Sequence, residues 1–189
     1  MADNPDPAGD FEANAEDIAS SFLGARDTTK IYLGELGAGG SRSAIVEAFD
    51  RGASLVSYMG HGGIDLWAQE KIIINDQIDL LAPQPQQPVV LALNCLNGYF
   101  VFPHFNSLSE ELVKAEGKGA IATFSPSGLS LDGPAHLFHK VVLNELISGG
   151  HQRLGDAVLA AQEAYAYSGA FSELLSIYHL FGDPAMALQ

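Results

Sequence analysis

The chain has 189 residues, of which 9 are Lys or Arg and 23 are Asp or Glu, so its formal net charge is −14, and 47% of its residues are hydrophobic. This length and composition fit one globular domain with a sizeable core and exclude intrinsic disorder. The acidic balance argues against nucleic acid and anionic membranes as partners because both need clustered cations. No apolar run reaches the roughly 18 residues of a membrane span.

Helix and strand patterns alternate along the chain, and glycine or proline separates most of them. Before the single cysteine, the patterns predict a helix over residues 11–24, a strand over 28–33, a glycine-rich turn over 34–40, a helix over 41–51 and a strand over 53–59. They then predict a strand from Val89, a helix over 107–116, a strand over 120–124, helices over 132–146 and 153–167, and a strand over 174–180. This alternation predicts an α/β three-layer sandwich with a mainly parallel sheet, in a single domain over residues 1–189.

Two of the predicted strands end in a chemically reactive residue. The apolar run from Val89 ends at Asn94 and Cys95, and the earlier strand ends in Gly60 followed by His61. In parallel sheets, ligands bind beyond the carboxyl ends of the strands. A lone cysteine is often only a small buried hydrophobe, but a thiol and an imidazole at neighbouring strand ends predict a cysteine hydrolase.

Other motifs give weaker signals. No G-x-S-x-G elbow, G-x-G-x-x-G loop or phosphate-binding P-loop is present in the sequence. A zinc site from His61, Cys95 and His104 is conceivable, but it lacks helical His spacing and a CxxC pair, so we expect no resident metal. The acidic start, residues 3–10, offers oxygens for calcium, although a solvated turn explains it better.

At the two strand ends the sequence resembles a known family, the gingipain-type cysteine peptidases of the caspase–hemoglobinase fold. The matching pieces are residues 58–62 (Tyr-Met-Gly-His-Gly), 94–100 (Asn-Cys-Leu-Asn-Gly-Tyr-Phe) and 181–184 (Phe-Gly-Asp-Pro), with further similarity over 2–4 and 119–122. The resemblance covers nearly the whole chain, but only the second, catalytic half of a typical family domain. It therefore implies a caspase-like fragment of a longer precursor whose partner is the first half-domain.

The resemblance also implies a mechanism. Cys95 would attack a peptide carbonyl of a peptide or protein substrate as a thiolate, and His61 would transfer the protons. The backbone N–H groups of Gly62 and Cys95 would bind the oxyanion. Trp67, Ser125 and Ser127 would line the cleft, although Trp67 fits a core residue better and the two serines also suit a turn. An extracellular or cell-surface location is implied too. The start of the chain has no signal-peptide pattern, which fits either a cytosolic protein or an excised part of a secreted precursor.

The sequence offers several carboxylates that could decide substrate specificity. A pocket for basic residues needs a carboxylate, and the candidates are Asp6, Asp10 and Asp65. Ala8 stands where ungapped matching puts the family's pocket carboxylate, and any His-orienting acid from the strand before residues 2–4 would be absent. We therefore expect a weak preference for basic residues. The alternatives are a degenerate, non-catalytic interaction module and another cysteine hydrolase, such as an amidase.

Overall fold

The computed structural model describes residues 1–188, in which strands and helices alternate for most of the chain. The strands are β1 (Leu55–Met59), β2 (Leu66–Trp67), β3 (Ile73–Ile74), β4 (Val89–Leu93), β5 (Ala122–Pro126) and β6 (Tyr178–Gly182). The helices are α1 (Phe11–Ile18), which a short π-helix (Ala19–Leu23) continues, α2 (Leu33–Arg51), α3 (Asn75–Ile78), α4 (Leu108–Lys114), α5 (Asp132–Ile147), α6 (Leu154–Tyr167) and α7 (Leu174–Ile177).

The central sheet has four strands in the order β1-β4-β5-β6. β1, β4 and β5 run parallel to one another, and β6 runs antiparallel to β5. β2 and β3 form a separate antiparallel pair. The prediction of a mainly parallel sheet is confirmed.

Each face of the central sheet has its own hydrophobic core, and β4 contributes to both. Leu91 and Leu93 belong to the core that includes residues of α1, α5 and α6, whereas Val90 and Ala92 belong to the core that includes residues of α2 and α4. Every residue of β4 is buried. A strand that is covered on both faces has no polar side, which explains its continuous apolar sequence and confirms the predicted three layers.

Residues 1–3 lie extended beside β1 and add to the sheet at that edge. Ala2 forms parallel bridges to both Met59 and Tyr32. The N–H of Asp3 donates to the carbonyl of Met59 at 2.9 Å. This pairing brings the Asp3 side chain to the carboxyl end of β1.

Two local predictions near the start of α2 are wrong. Residues 28–33 do not form a strand, because Tyr32 makes only an isolated bridge and α2 begins at Leu33. The glycine-rich stretch over 34–40 is helical, with a kink at Gly37, where φ is 63° and ψ is 173°. Glycine adopts this conformation at little steric cost, so a helix forms on both sides of the break.

The prediction of one strand over residues 174–180 is wrong in its first half. Leu174 is buried in the core at the start of the short helix α7, and the extended chain begins only at Tyr178. The capping box predicted for α4 is confirmed, since Ser107 Oγ accepts from the N–H of Glu110 and a Glu110 carboxylate oxygen accepts from the N–H of Ser107. None of the helices in the described part of the chain is both long and apolar enough to cross a bilayer.

Candidate active site

His61 and Cys95 lie just beyond the carboxyl ends of neighbouring parallel strands. β1 and β4 are in register with Met59 opposite Leu93, and each candidate residue follows its strand by two positions. The N–H of Gly60 still donates to the carbonyl of Leu93, at 3.3 Å, so the pairing continues past the end of β1. The His61 loop and the Cys95 loop therefore leave the sheet side by side, as the sequence predicts.

The two loops touch each other at Gly62. A Cβ atom on Gly62 would lie 2.6 Å from the side-chain Cγ of Asn94 and 2.7 Å from the carbonyl oxygen of Cys95. No real Cβ atom approaches its neighbours so closely, so only glycine allows this contact. Within residues 1–188, neither the N–H of Gly62 nor the N–H of Cys95 donates a hydrogen bond. Both predicted oxyanion donors therefore belong to loops in direct contact and have no other acceptor there.

Two buried asparagines tie the loops together. Asn97 donates through Nδ2 to the carbonyl oxygens of Gly63 and Leu66, and its Oδ1 accepts from the amide of Asn94. Asn94 and Asn97 are only 3% and 1% exposed. Since a buried amide without partners is costly, these bonds stabilise the relative position of the loops.

The thiol of Cys95 contacts the segment that follows β5. The N–H of Ser130 donates to Sγ at 3.4 Å, and Sγ lies 3.6 Å from the carbonyl oxygen of the same residue. Cys95 is half-buried. Leu96, which follows it, has a φ of 63°, a left-handed conformation that costs a branched residue about 1–2 kcal/mol. Since β4 already ends at Leu93 and Cys95 is only half-buried, Cys95 is not a core residue of β4.

His61 is held by two carboxylates and an aromatic ring. Its Nε2 lies 2.7 Å from Asp6 Oδ2, and its backbone N–H donates to Asp3 Oδ2 at 3.0 Å. The ring of Phe11 meets the imidazole edge-on, with ring centroids 5.4 Å apart. The hydroxyl of Tyr58 donates to the carbonyl of His61 at 2.8 Å. Both the backbone and the ring of His61 are therefore restrained.

The two carboxylates beside His61 differ in their electrostatics. Burial raises the pKa of Asp3, although backbone N–H groups of His61 and Asn4 oppose that effect. The hydrogen bond with His61 lowers the pKa of Asp6. Asp6 is therefore ionised at neutral pH, and its negative charge adjoins the imidazole.

Two residues predicted to line the cleft lie inside the protein instead. Trp67 is completely buried and stacks on Tyr58 with ring centroids 4.4 Å apart, so it is a core residue beneath the His61 loop. Ser125 is also completely buried, and its Oγ lies 2.6 Å from that of Ser109. The reason is that β5 continues to Pro126, which leaves Ser125 within the buried strand.

The remaining predicted substrate-binding residues lie nearer the surface. Ser127 is half-buried beyond β5, with its Oγ 2.8 Å from Nε2 of His179. Asp10 caps α1, because its Oδ1 accepts from the N–H of Ala13 at 3.0 Å. Asp65 is half-buried in the loop before β2. Their binding roles stay predictions.

Sequence reasoning missed three residues that shape the site: Asp3, Phe11 and Ser130. Asp3 lies in the stretch over residues 2–4 that resembles the family, and this signal pointed to the site without giving a role. Ser130 is 35 residues from Cys95 and meets it only through the fold. Within the described part of the chain, no group of three or more His, Cys, Asp or Glu side chains is placed to hold a metal ion.

These features define a class of molecule: an α/β sandwich with a thiol and an imidazole at the ends of adjacent parallel strands. The model of peptidase family C25 matches residues 1–189. The chain therefore belongs to this family of cysteine peptidases, and its fold is the caspase-like fold implied by the resemblance.

Individual relatives agree with this assignment. Gingipain R2 of Porphyromonas gingivalis (strain ATCC 33277) is 25% identical over 194 residues, which cover 96% of this chain and 26% of the relative. Gingipain R1 of Porphyromonas gingivalis is also 25% identical, and 19% of its length is covered. The crystal structure of the Arg specific cysteine proteinase gingipain R matches with a TM-score of 0.82 and 23% identity over 100% of this chain and 44% of that one. The chain thus spans about a quarter or less of the length of these curated relatives.

Proposed function

We propose that this chain is the catalytic part of a cysteine endopeptidase with a dyad of Cys95 and His61. The observation that carries the proposal is the register of β1 with β4, which places the thiol loop beside the imidazole loop. Membership of a cysteine peptidase family supports it. The position of Cys95 outside the core and the restrained ring of His61 support it further.

In the proposed reaction, the thiol of Cys95 gives its proton to His61, and the sulfur attacks the carbonyl carbon of the scissile peptide bond. The N–H groups of Gly62 and Cys95 donate hydrogen bonds to the developing oxyanion. His61 then protonates the leaving amine as the C–N bond breaks, which leaves a thioester on Cys95. Water that loses a proton to His61 hydrolyses the thioester, and the proton returns to the thiolate.

A preference for basic residues belongs to the same proposal. The formal net charge of −14 favours encounter with cationic peptides, and one structural relative is described as Arg specific. A pocket for a buried cation needs a carboxylate, because an unpaired buried charge is very costly. Asp10 and Asp65 are the candidates whose carboxylates do not contact His61.

The setting of the enzyme is also part of the proposal. Protein or peptide substrates and an extracellular or cell-surface location follow from the family. A further half-domain as partner is supported by the structural relative described as a complex of pro- and mature domains of RgpB, of which this chain covers 45%.

Covalent labelling of the thiol tests the proposal. We expect a peptidyl acyloxymethyl ketone to label the protein at neutral pH, with mass spectrometry locating the adduct on Cys95. Cys95→Ala should prevent labelling and His61→Ala should slow it strongly, while thermal unfolding shows that both variants remain folded. A folded protein that is not labelled, or is labelled as fast without His61, would favour a non-catalytic interaction module.

A further inference from the structure

The proposed dyad leaves one close contact of the imidazole unexplained, the hydrogen bond between Asp6 and His61. Asp6 Oδ2 lies 2.7 Å from Nε2. The side chains of His61 and Asp6 are 33% and 30% exposed. The pair is therefore partly shielded, and water competes less with the hydrogen bond than it would at an open surface.

The turn that carries Asp6 fixes its carboxylate in place. Oδ1 accepts from the N–H of Ala8 at 2.7 Å. The backbone of Asp6 exchanges two hydrogen bonds with that of Gly9, at 3.0 and 3.2 Å. Pro5 and Pro7 flank the residue and restrict the backbone further. The carboxylate is therefore preorganised before any substrate binds.

The same geometry argues against Asp6 as the base of a specificity pocket. A carboxylate that receives a guanidinium usually offers both of its oxygens. Here one oxygen of Asp6 bonds to the turn and the other to the imidazole. If Asp6 positions His61, its carboxylate keeps both the contact with Ala8 and the contact with the imidazole. If Asp6 bound a basic side chain in a specificity pocket, at least one of these contacts would have to break.

Two neighbouring residues restrain the imidazole in other directions. Asp3 accepts from the backbone N–H of His61, which fixes the start of the loop. Phe11 is buried, and its ring meets the imidazole at an angle of 74°. With the backbone and one side of the ring restrained, a carboxylate on Nε2 determines both ring orientation and tautomer.

We propose that Asp6 is the positioning carboxylate of His61, which keeps a proton on Nε2 so that Nδ1 exchanges protons with Cys95 and the leaving amine. The physical reason is that an ionised carboxylate only accepts hydrogen bonds, so the nitrogen facing it must carry the proton. The negative charge also stabilises the imidazolium formed during the reaction. This inference rests on the proposed peptidase function.

A kinetic experiment separates positioning from substrate binding. It uses two fluorogenic peptides that differ only in the residue before the cleaved bond, Arg in one and Leu in the other. Asp6→Asn should lower kcat for both peptides by a similar factor and change KM little. We expect kcat to fall by roughly 10- to 1,000-fold. This is less than the ~10⁴-fold loss typical of a buried orienting carboxylate, because Asp6 is partly exposed. Asp6→Glu should recover part of the loss.

The matched control is Asp27→Asn, the same substitution at an exposed residue outside the helices and strands, which should keep wild-type activity. A loss confined to the Arg peptide would place Asp6 in the specificity pocket and overturn the proposal. Wild-type kcat in Asp6→Asn would overturn it equally.

A second measurement does not depend on turnover. ¹⁵N NMR of the His61 ring, at a pH where the imidazole is neutral and with Cys95→Ala as background, should show the proton on Nε2. Adding Asp6→Asn should give a mixture of tautomers, and an unchanged ring spectrum would refute the positioning role. If the ring spectra behave as expected but the wild-type chain cleaves no peptide and takes up no ketone, the peptidase function fails and the Asp6 contact stands.

Discussion

Replacing Gly62 by alanine should push apart the loops that carry His61 and Cys95. The new Cβ would lie 2.7 Å from the carbonyl oxygen of Cys95 and 2.6 Å from Cγ of Asn94. Carbon atoms prefer separations of about 3.5–4.0 Å, so the loops must separate by roughly 1 Å. Neither neighbour can simply rotate away, because one is backbone and the other is a buried, hydrogen-bonded amide.

This separation should affect catalysis more than stability. Overpacking of this kind costs about 1–3 kcal/mol of unfolding free energy. The N–H of Gly62 would also move away from the oxyanion, and losing one such donor lowers kcat by about 10²–10³-fold. Peptide hydrolysis and urea unfolding of the same preparations would measure both effects.

Gly63→Ala is the neighbouring control. The nearest neighbours of its Cβ would be atoms of the Leu66 side chain, the closest at 3.2 Å, and this side chain can adjust. We expect a much smaller loss of kcat there than at Gly62. Wild-type kcat in Gly62→Ala, or equal losses at the two positions, would refute the argument that the loop contact forms the oxyanion site.

Two further predictions concern buried polar side chains. Asn97→Ala removes the donor to two carbonyl oxygens and the acceptor of Asn94. Urea unfolding should therefore show a loss of unfolding free energy of about 1–3 kcal/mol or more. A loss below about 0.5 kcal/mol would contradict the conclusion that Asn97 holds the two loops together. His139 is buried, and burial lowers its pKa from 6.5 to about 3. The unfolded chain therefore binds a proton that the folded chain does not, and the unfolding free energy should fall as the pH drops from 6.5 towards 3, with a slope contribution of up to roughly 1.4 kcal/mol per pH unit. In urea unfolding measured at several pH values between 3 and 6.5, His139→Leu should make the unfolding free energy depend less steeply on pH. If the wild-type protein and the variant show the same slope, another group is responsible.

The sequence was informative where local chemistry decides the structure. The continuous apolar run of β4 followed by Asn94 and Cys95 indicates a strand buried on both faces that ends at a functional edge. The helix that follows Ser107 is predictable because the capping residues lie three positions apart. These signals act between near neighbours, so they are visible without the fold.

The predictions failed where distant contacts decide. Residues 28–33 have the composition of a strand, but a strand needs a partner along its length, and only Tyr32 finds one. Trp67 follows the His-Gly motif closely enough to suggest a cleft wall, yet the fold turns it into the core against Tyr58. The contact of Asp6 with His61 spans 55 positions and depends on how residues 1–3 pair beside β1.

Residues 1–3 make the geometry of the imidazole depend on a segment far in sequence from both strands of the site. Ala2 bonds to Ile31 and Leu33 on one side, and the N–H of Asp3 donates to Met59 on the other. Ala2 and Asp3 are only 1% and 2% exposed. A buried segment that is paired on both sides has no low-energy route to open separately from the sheet. The carboxylate of Asp3 should therefore stay beside His61 until the core unfolds, and turnover and core structure should be lost at the same denaturant concentration. Amide exchange at Asp3 should follow the same dependence on denaturant as exchange within β4.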